Sequence, residues 1–313
     1  MKDFKKIIFV LVVAVSMLFI FMTKQDSKKT DQKIDVKPIV SLSTFSLYDI
    51  AKHIAGDSVE LVMILPFGMD AHSFEPTPKL MAKIQKSALV VYSGAGLEPW
   101  IDGFEFKHDV INMSKFVKLR ELKAGEHHHH KGEMTEHSRV DPHYWLDFHN
   151  MVIETDIIKN NLIKLFPNHK SLYEKNANNY IKMLNDLDSQ YKSKIKECKI
   201  DTIVVNHNAF SYLAHNYGFH VEALSGLSPQ AQPNAKKMIK LIEDIKAQHI
   251  STIFFESFVS AKAIKNIANE AKVSVDVLQP LGNITADEAK EKLTYKDIML
   301  ENLDKISKAL ECK

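Results

Sequence analysis

The chain alternates short β-branched runs with helical patterns, and this alternation limits the folds that it can adopt. The runs with strand character are residues 39–43, 59–65, 88–92, 202–205, 219–223, 252–255 and 273–278. Strands that alternate with helices normally pair in parallel, because each helix carries the chain back along the sheet. We therefore predict an α/β fold of two lobes, each with a mainly parallel sheet flanked by helices.

A long helical pattern separates the two groups of strands. Apolar residues keep a spacing of three or four from Ala177 to Ile195, a stretch that contains neither Gly nor Pro. We expect one linking helix over residues 148–197, between an N-terminal lobe of residues 37–147 and a C-terminal lobe of residues 198–313. The sequence has no close internal repeat, and whether the two lobes share a topology stays open.

Composition restricts the class of protein. The chain has 313 residues, 45% hydrophobic and 26% charged, which suits one or two globular domains. Lys and Arg number 41 against 39 Asp and Glu, and the excess lies in the first 22 residues. The remainder is formally neutral, which argues against nucleic acid as a partner. Two cysteines are too few for a disulfide scaffold or for a zinc module of three or four thiolates.

The N-terminus has the layout of an export signal. Three lysines precede an uncharged 16-residue apolar run, residues 7–22, and a polar linker of residues 23–36 follows. Residues 1–22 are therefore a signal peptide or, since no A-x-A cleavage site is evident, a retained N-terminal anchor. No cysteine follows the run, so we expect a periplasmic protein without lipid attachment. In that oxidising compartment Cys198 and Cys312 either pair or remain two free thiols.

Histidine is the residue in excess: the chain has 15, and seven fall within residues 127–149. His72 and His207 follow predicted strands, and His143 precedes a helical pattern. Ligands of open parallel sheets gather beyond the carboxyl ends of the strands, and imidazole is the usual zinc donor outside thiolate sites. Three histidines on separate loops fit this chemistry, and their loop positions allow them to converge on one metal ion. The alternative for each is a hydrogen-bonded structural histidine, since no local signature such as H-E-x-x-H is present.

Residues 126–137 are hydrophilic and form a predicted surface loop. Its imidazoles can take up metal weakly and in several arrangements, and they lose it as the pH falls through their ordinary pKa of about 6.5. The histidines of this auxiliary loop are His127, His128, His129, His130 and His137. The alternative is a solvated loop without function.

Several motifs, in this order, resemble those of the zinc ABC-transporter solute-binding proteins of the ZnuA type, in the cluster A-I group. They are GMDAHSFEPTP around His72, SGAGLEPW ending at Trp100, DPHYWLD around His143, NHNAFSYLA around His207, IFFES around Glu256 and PLG at residues 280–282. The resemblance covers nearly everything after residue 37. It implies two lobes joined by a rigid long helix and Zn²⁺ held in the cleft between them. It also implies a non-catalytic, monomeric carrier that delivers zinc to a membrane permease with a separate ATPase subunit.

The resemblance leaves the fourth ligand position open. Relatives usually have Asp, and sometimes Glu or Asn, before the P-L-G segment, whereas this chain has Gln279, whose neutral amide is a poor zinc ligand. Water, the Gln279 oxygen, Glu75 and a loop histidine are the candidates, and Glu256 is interpreted as structural. Manganese-binding relatives typically carry a carboxylate where this chain has His207, so a third imidazole favours zinc.

Three other functions are weighed against a zinc carrier. A manganese or iron carrier of the same fold is disfavoured by His207. A zinc hydrolase also uses three histidines and an open fourth position, but it needs a general base, and Glu75 is the only candidate nearby in sequence. A zinc buffer or metallochaperone would have no transporter partner.

Overall fold

A computed structural model of the chain describes residues 37–121, 140–226, 235–256 and 262–313. The predicted signal or anchor (1–22), the linker (23–36) and the His-rich loop (126–137) lie outside these residues. No helix in the described ranges combines the length and the hydropathy of a membrane span.

The first lobe is built on a four-stranded parallel sheet in the order β2-β1-β3-β4. Its strands and helices, in chain order, are β1 (Ile39–Leu42), α1 (Phe45–Ala55), β2 (Glu60–Met63), α2 (Pro78–Ile84), β3 (Leu89–Tyr92) and β4 (Asp109–Asn112). Apolar side chains of β1 and β3, such as Val40 and Val91, are fully buried because helices cover the sheet. A two-stranded antiparallel ribbon, β5 (Arg120–Glu121) with β6 (Val140–Asp141), completes this part of the described chain.

The linking region is two helices rather than the single helix predicted over residues 148–197. Helix α3 spans Phe148–Leu165 and helix α4 spans Lys170–Lys194, with a 3-10 turn at Pro167–His169 between them. Pro167 lacks a backbone N–H and disfavours the helical conformation at the residue before it, so α3 ends there. The predicted helical spacing of apolar residues is present in α4. This helix buries a side chain every third or fourth residue from Tyr173 to Tyr191.

The second lobe repeats the topology of the first. Its strands are β7 (Thr202–Val205), β8 (His220–Ala223), β9 (Thr252–Phe255) and β10 (Ser274–Val277). All pair in parallel in the order β8-β7-β9-β10, which matches β2-β1-β3-β4 strand for strand. Its helices are α5 (Ser211–Tyr217), α6 (Ala235–Ala247), α7 (Lys262–Ala271), α8 (Ala286–Lys290) and α9 (Tyr295–Ala309). The predicted two-lobed α/β fold is thus confirmed.

A disulfide joins Cys198, just after α4, to Cys312, just after α9. The backbones of these two cysteines also pair as an isolated antiparallel bridge, and the Ile200 amide donates to the Leu310 carbonyl at 3.0 Å. The two ends of the second lobe are therefore held together both covalently and by hydrogen bonds.

Candidate metal centre

Three loops bring the predicted ligands to one place. His72 lies in the loop between β2 and α2, His143 lies two residues after β6, and His207 lies two residues after β7. Their elements belong to different lobes, since β2 is in the first sheet and β7 in the second. The three side chains are positioned to bind one metal ion, because their ligand nitrogens all lie within 4.8 Å of one another.

The distances between the ring nitrogens match a zinc coordination shell. The Nε2 atom of His143 lies 3.5 Å from Nε2 of His72 and 3.3 Å from Nε2 of His207. A tetrahedral Zn²⁺ with nitrogen ligands at about 2.0–2.1 Å places those nitrogens about 3.3–3.4 Å apart. His143 therefore has, from each of the other two imidazoles, the spacing of neighbouring corners of such a tetrahedron.

Two of the rings are oriented by buried carboxylates. The Nδ1 atom of His143 lies 2.8 Å from Oδ1 of Asp141, whose other oxygen accepts a hydrogen bond from the Ser211 hydroxyl. The Nδ1 atom of His207 contacts Oε1 of Glu256 in the same way. A carboxylate beside Nδ1 keeps the proton on that nitrogen and leaves the Nε2 lone pair free for a metal. This arrangement is typical of metal-binding histidines.

Burial and charge set the protonation of the rings. Burial, followed by the neighbouring imidazoles of His143 and His207, holds the pKa of His72 well below its usual range. Burial also lowers the pKa of His207, but the carboxylate of Glu256 outweighs it and leaves that pKa raised. His72 thus offers a neutral imidazole, whereas a metal ion competes with a proton for His207.

The cavity between the rings is small. Its volume is about 20 Å³, enough for one ion or one water molecule but not for an organic substrate. Asp70, Trp145 and Glu256 line it together with the three histidines, whereas Gln279 and Glu75 are not among its lining residues. Glu75 is exposed.

Gln279, a candidate for the fourth ligand position, has its side chain hydrogen-bonded to another residue of the second lobe. Its side-chain amide donates to both carboxylate oxygens of Glu288, at 3.1 Å each. Its backbone is held by Asn302, which accepts from the Gln279 N–H and donates to the Gln279 carbonyl. Buried contacts within the second lobe thus direct this amide toward Glu288.

The prediction from sequence placed three ligands together but did not assign the carboxylates that orient them. Glu256 was interpreted only as structural, although it directly follows β9, the strand that pairs with β7 next to His207. The strand-end argument used for the histidines applies to it equally. For Asp141 the available signal was its position two residues before His143, which lets one carboxylate oxygen contact both the backbone N–H and the ring of that histidine.

Comparison with known proteins identifies zinc-binding and zinc-uptake relatives. The ZnuA family model, described as zinc-uptake complex component A, periplasmic, matches residues 40–309. The high-affinity zinc uptake system protein ZnuA of Bacillus subtilis is 33% identical over 321 residues, covering 99% of each chain. The zinc-binding lipoprotein AdcA of Streptococcus pneumoniae is 31% identical over 311 residues, which are 96% of this chain and 60% of AdcA.

A solved structure has the same architecture. The Zn(II)-bound ZnuA-like domain of Streptococcus pneumoniae AdcA superposes with a TM-score of 0.73 at 30% identity, over 88% of this chain and 99% of that one. The chain spans about three fifths of AdcA but the full length of its domain and of the Bacillus protein. On its match from residue 40 to residue 309, this chain belongs to the ZnuA family.

Proposed function

We propose that this protein captures Zn²⁺ outside the cytoplasm and delivers it to a membrane permease of an ABC importer. The ion is the cargo, and His72, His143 and His207 are its protein ligands. The observation that carries this proposal is the convergence of the three histidines, with Nε2 of His143 at zinc-like spacing from Nε2 of both others and carboxylates beside two of the rings. A cavity of about 20 Å³ supports binding rather than catalysis, because it has no room for an organic substrate.

The names of the relatives and the N-terminal sequence support the cellular setting that we propose. The relatives are named as zinc uptake or zinc-binding proteins, and the family as periplasmic. We place the chain in the periplasm as a monomer, exported by residues 1–22 and retained there if that segment is not cleaved. Its partners are a permease and a separate ATPase subunit, and the His-rich loop is an auxiliary, weaker zinc-binding segment.

Calorimetric titration tests the proposal. The chain with and without residues 126–137 is titrated with Zn²⁺ and, separately, with Mn²⁺. We expect one tight zinc site in both forms, additional weak zinc only when the loop is present, and weak manganese binding. Manganese binding as tight as zinc binding would indicate a carrier for another metal, and absence of a tight site would overturn the carrier function.

Substitution of a ligand identifies the site. His207→Ala should weaken tight zinc binding by more than the roughly 10- to 100-fold that loss of an orienting partner costs. His53→Ala is the matched control, because that ring also pairs with a carboxylate, Asp49 at 3.3 Å, and does not line the cavity. Unchanged affinity in His207→Ala would show that zinc binds elsewhere.

A further inference from the structure

Residues 280–284 of the second lobe contact the first residue of α1 and the loop after β2 in the first lobe. The Phe45 amide donates to the Gly282 carbonyl at 3.0 Å, and the Gly68 amide donates to the Ile284 carbonyl at 2.9 Å. Gly68 follows β2 and has a φ of +76°, a conformation that favours glycine. Main-chain hydrogen bonds thus join the lobes at the loop that carries His72.

Asn283 adds a side-chain connection at the same place. Its Nδ2 donates to the carbonyl of Pro66 at 2.6 Å and to that of Met69 at 2.8 Å, while its Oδ1 accepts from the Ile284 amide at 2.8 Å. The side chain is buried, with 2% of its surface exposed. Two carbonyls on one side and one N–H on the other are satisfied together by a carboxamide, since it has two donor hydrogens and an acceptor oxygen. These interactions fix both ends of the turn at Gly68.

The backbone next to Asn283 is strained. Leu281 is fully buried with a φ of +61°, in the left-handed region that non-glycine residues rarely adopt. Such a conformation persists only where surrounding contacts determine it. Gly282 is also constrained, because a Cβ atom there would lie 3.2 Å from the Trp145 ring. The segment is therefore held in one shape against the first lobe.

These contacts hold the loop that carries His72, which is the most solvent-exposed of the three histidines. His143 and His207 are 3% and 2% exposed, whereas His72 is only partly buried. Met69, whose carbonyl Asn283 holds, is three residues before His72 and lines the metal cavity with it. Separation of the lobes at this edge requires the Asn283 hydrogen bonds to break.

We propose that Asn283 is a positioning residue that holds the His72 loop against the second lobe and so sets the rate at which bound zinc leaves. This inference rests on the proposed zinc-binding function. Asn283 also lines the metal cavity, but Pro66, Met69 and Ile284 occupy its carboxamide, so it does not ligate the metal in this scheme. It acts through the carbonyls of Pro66 and Met69, and its effect falls on release rather than on the number of ions bound.

The test replaces Asn283 with a side chain of similar size that cannot donate. In Asn283→Leu, and in Asn283→Ala should the first variant fold poorly, zinc dissociation into excess chelator is timed by stopped flow. Two hydrogen bonds of ordinary strength correspond to a rate increase of at least about tenfold. Asn176→Leu is the matched control, because Asn176 also donates an amide to a distant carbonyl, that of Ile54, away from the cavity.

A second readout separates this role from general stability and does not require metal. Amide hydrogen exchange of residues 67–72 in the zinc-free protein should accelerate in Asn283→Leu and stay unchanged in Asn176→Leu. Equal dissociation rates and equal loop exchange in the Asn283 variants and the parent protein would overturn the inference while leaving the zinc function intact. Failure of the parent protein to bind zinc would overturn the proposed function, and the exchange data would still decide whether Asn283 holds the loop.

Discussion

At the scale of single residues, the carboxyl group of Glu154 in α3 is buried without hydrogen bonds from the described part of the chain. It is fully buried, and neither of its oxygens has a hydrogen-bond partner within the described part of the chain. Burial, followed by the charge of Asp147, raises the pKa of Glu154 well above its usual range. The folded chain therefore keeps a proton that the unfolded chain has released. Its contribution to stability is present below the unfolded pKa of about 4.3 and is lost as the pH rises through the folded pKa.

Replacing Glu154 by Gln should remove this pH dependence. Between the unfolded and the folded pKa, the parent protein should lose free energy of unfolding relative to Glu154→Gln by up to about 1.4 kcal/mol per pH unit. Urea unfolding across the range from about pH 4 to pH 8 measures the difference. Glu174→Gln serves as the control, because its exposed carboxylate pairs only loosely with Lys170, at 3.8 Å. If the difference in free energy of unfolding between the parent protein and Glu154→Gln does not change with pH, Glu154 does not hold a proton on folding.

At the scale of elements, the sequence predicts fully buried strands better than short or partly polar ones. All four residues of β7 are buried, and all four are β-branched, which is the signal that predicts this strand. The ribbon β5–β6 has two residues in each strand, too few to show any alternation, and β4 has polar residues at both ends. The histidines could be found because each lies in a loop. The pairing of His207 with Glu256 depends on which strands are neighbours, and the pairing of His143 with Asp141 depends on local backbone geometry. The spacing of residues along the sequence predicts neither.

The disulfide between the ends of α4 and α9 allows a prediction at this scale. Cys198 and Cys312 are 114 residues apart, so the bond encloses all four strands of the second sheet. Constraint of so long a loop in the unfolded chain is worth about 4–5 kcal/mol. The double variant Cys198→Ala/Cys312→Ala should lose free energy of unfolding of that order in urea. Reductant should destabilise the parent protein and leave the variant unaffected, and equal sensitivity of the two proteins would show that the bond is absent in solution.

At the scale of the whole molecule, the three histidines positioned to bind a metal ion come from two lobes that have the same topology without a close sequence repeat. The first lobe supplies His72 and His143, and the second supplies His207 with its partner Glu256. The 280–284 segment adds hydrogen bonds across the same boundary. Because the site exists only when both lobes are folded and close together, zinc should bind the native molecule and not the separated lobes.

Zinc should therefore raise the stability of the whole chain, and a ligand lost from either lobe should remove the increase. A ligand at 100 times its dissociation constant stabilises the native state by about 2.7 kcal/mol. Thermal unfolding with and without Zn²⁺ should show this shift in the parent protein and in His53→Ala. It should disappear in His72→Ala and in His207→Ala alike, rather than being halved, since two imidazoles do not complete a tight tetrahedral site. Retention of the shift in His207→Ala would mean that the first lobe holds zinc alone, and retention in His72→Ala would mean that His72 is not a required ligand.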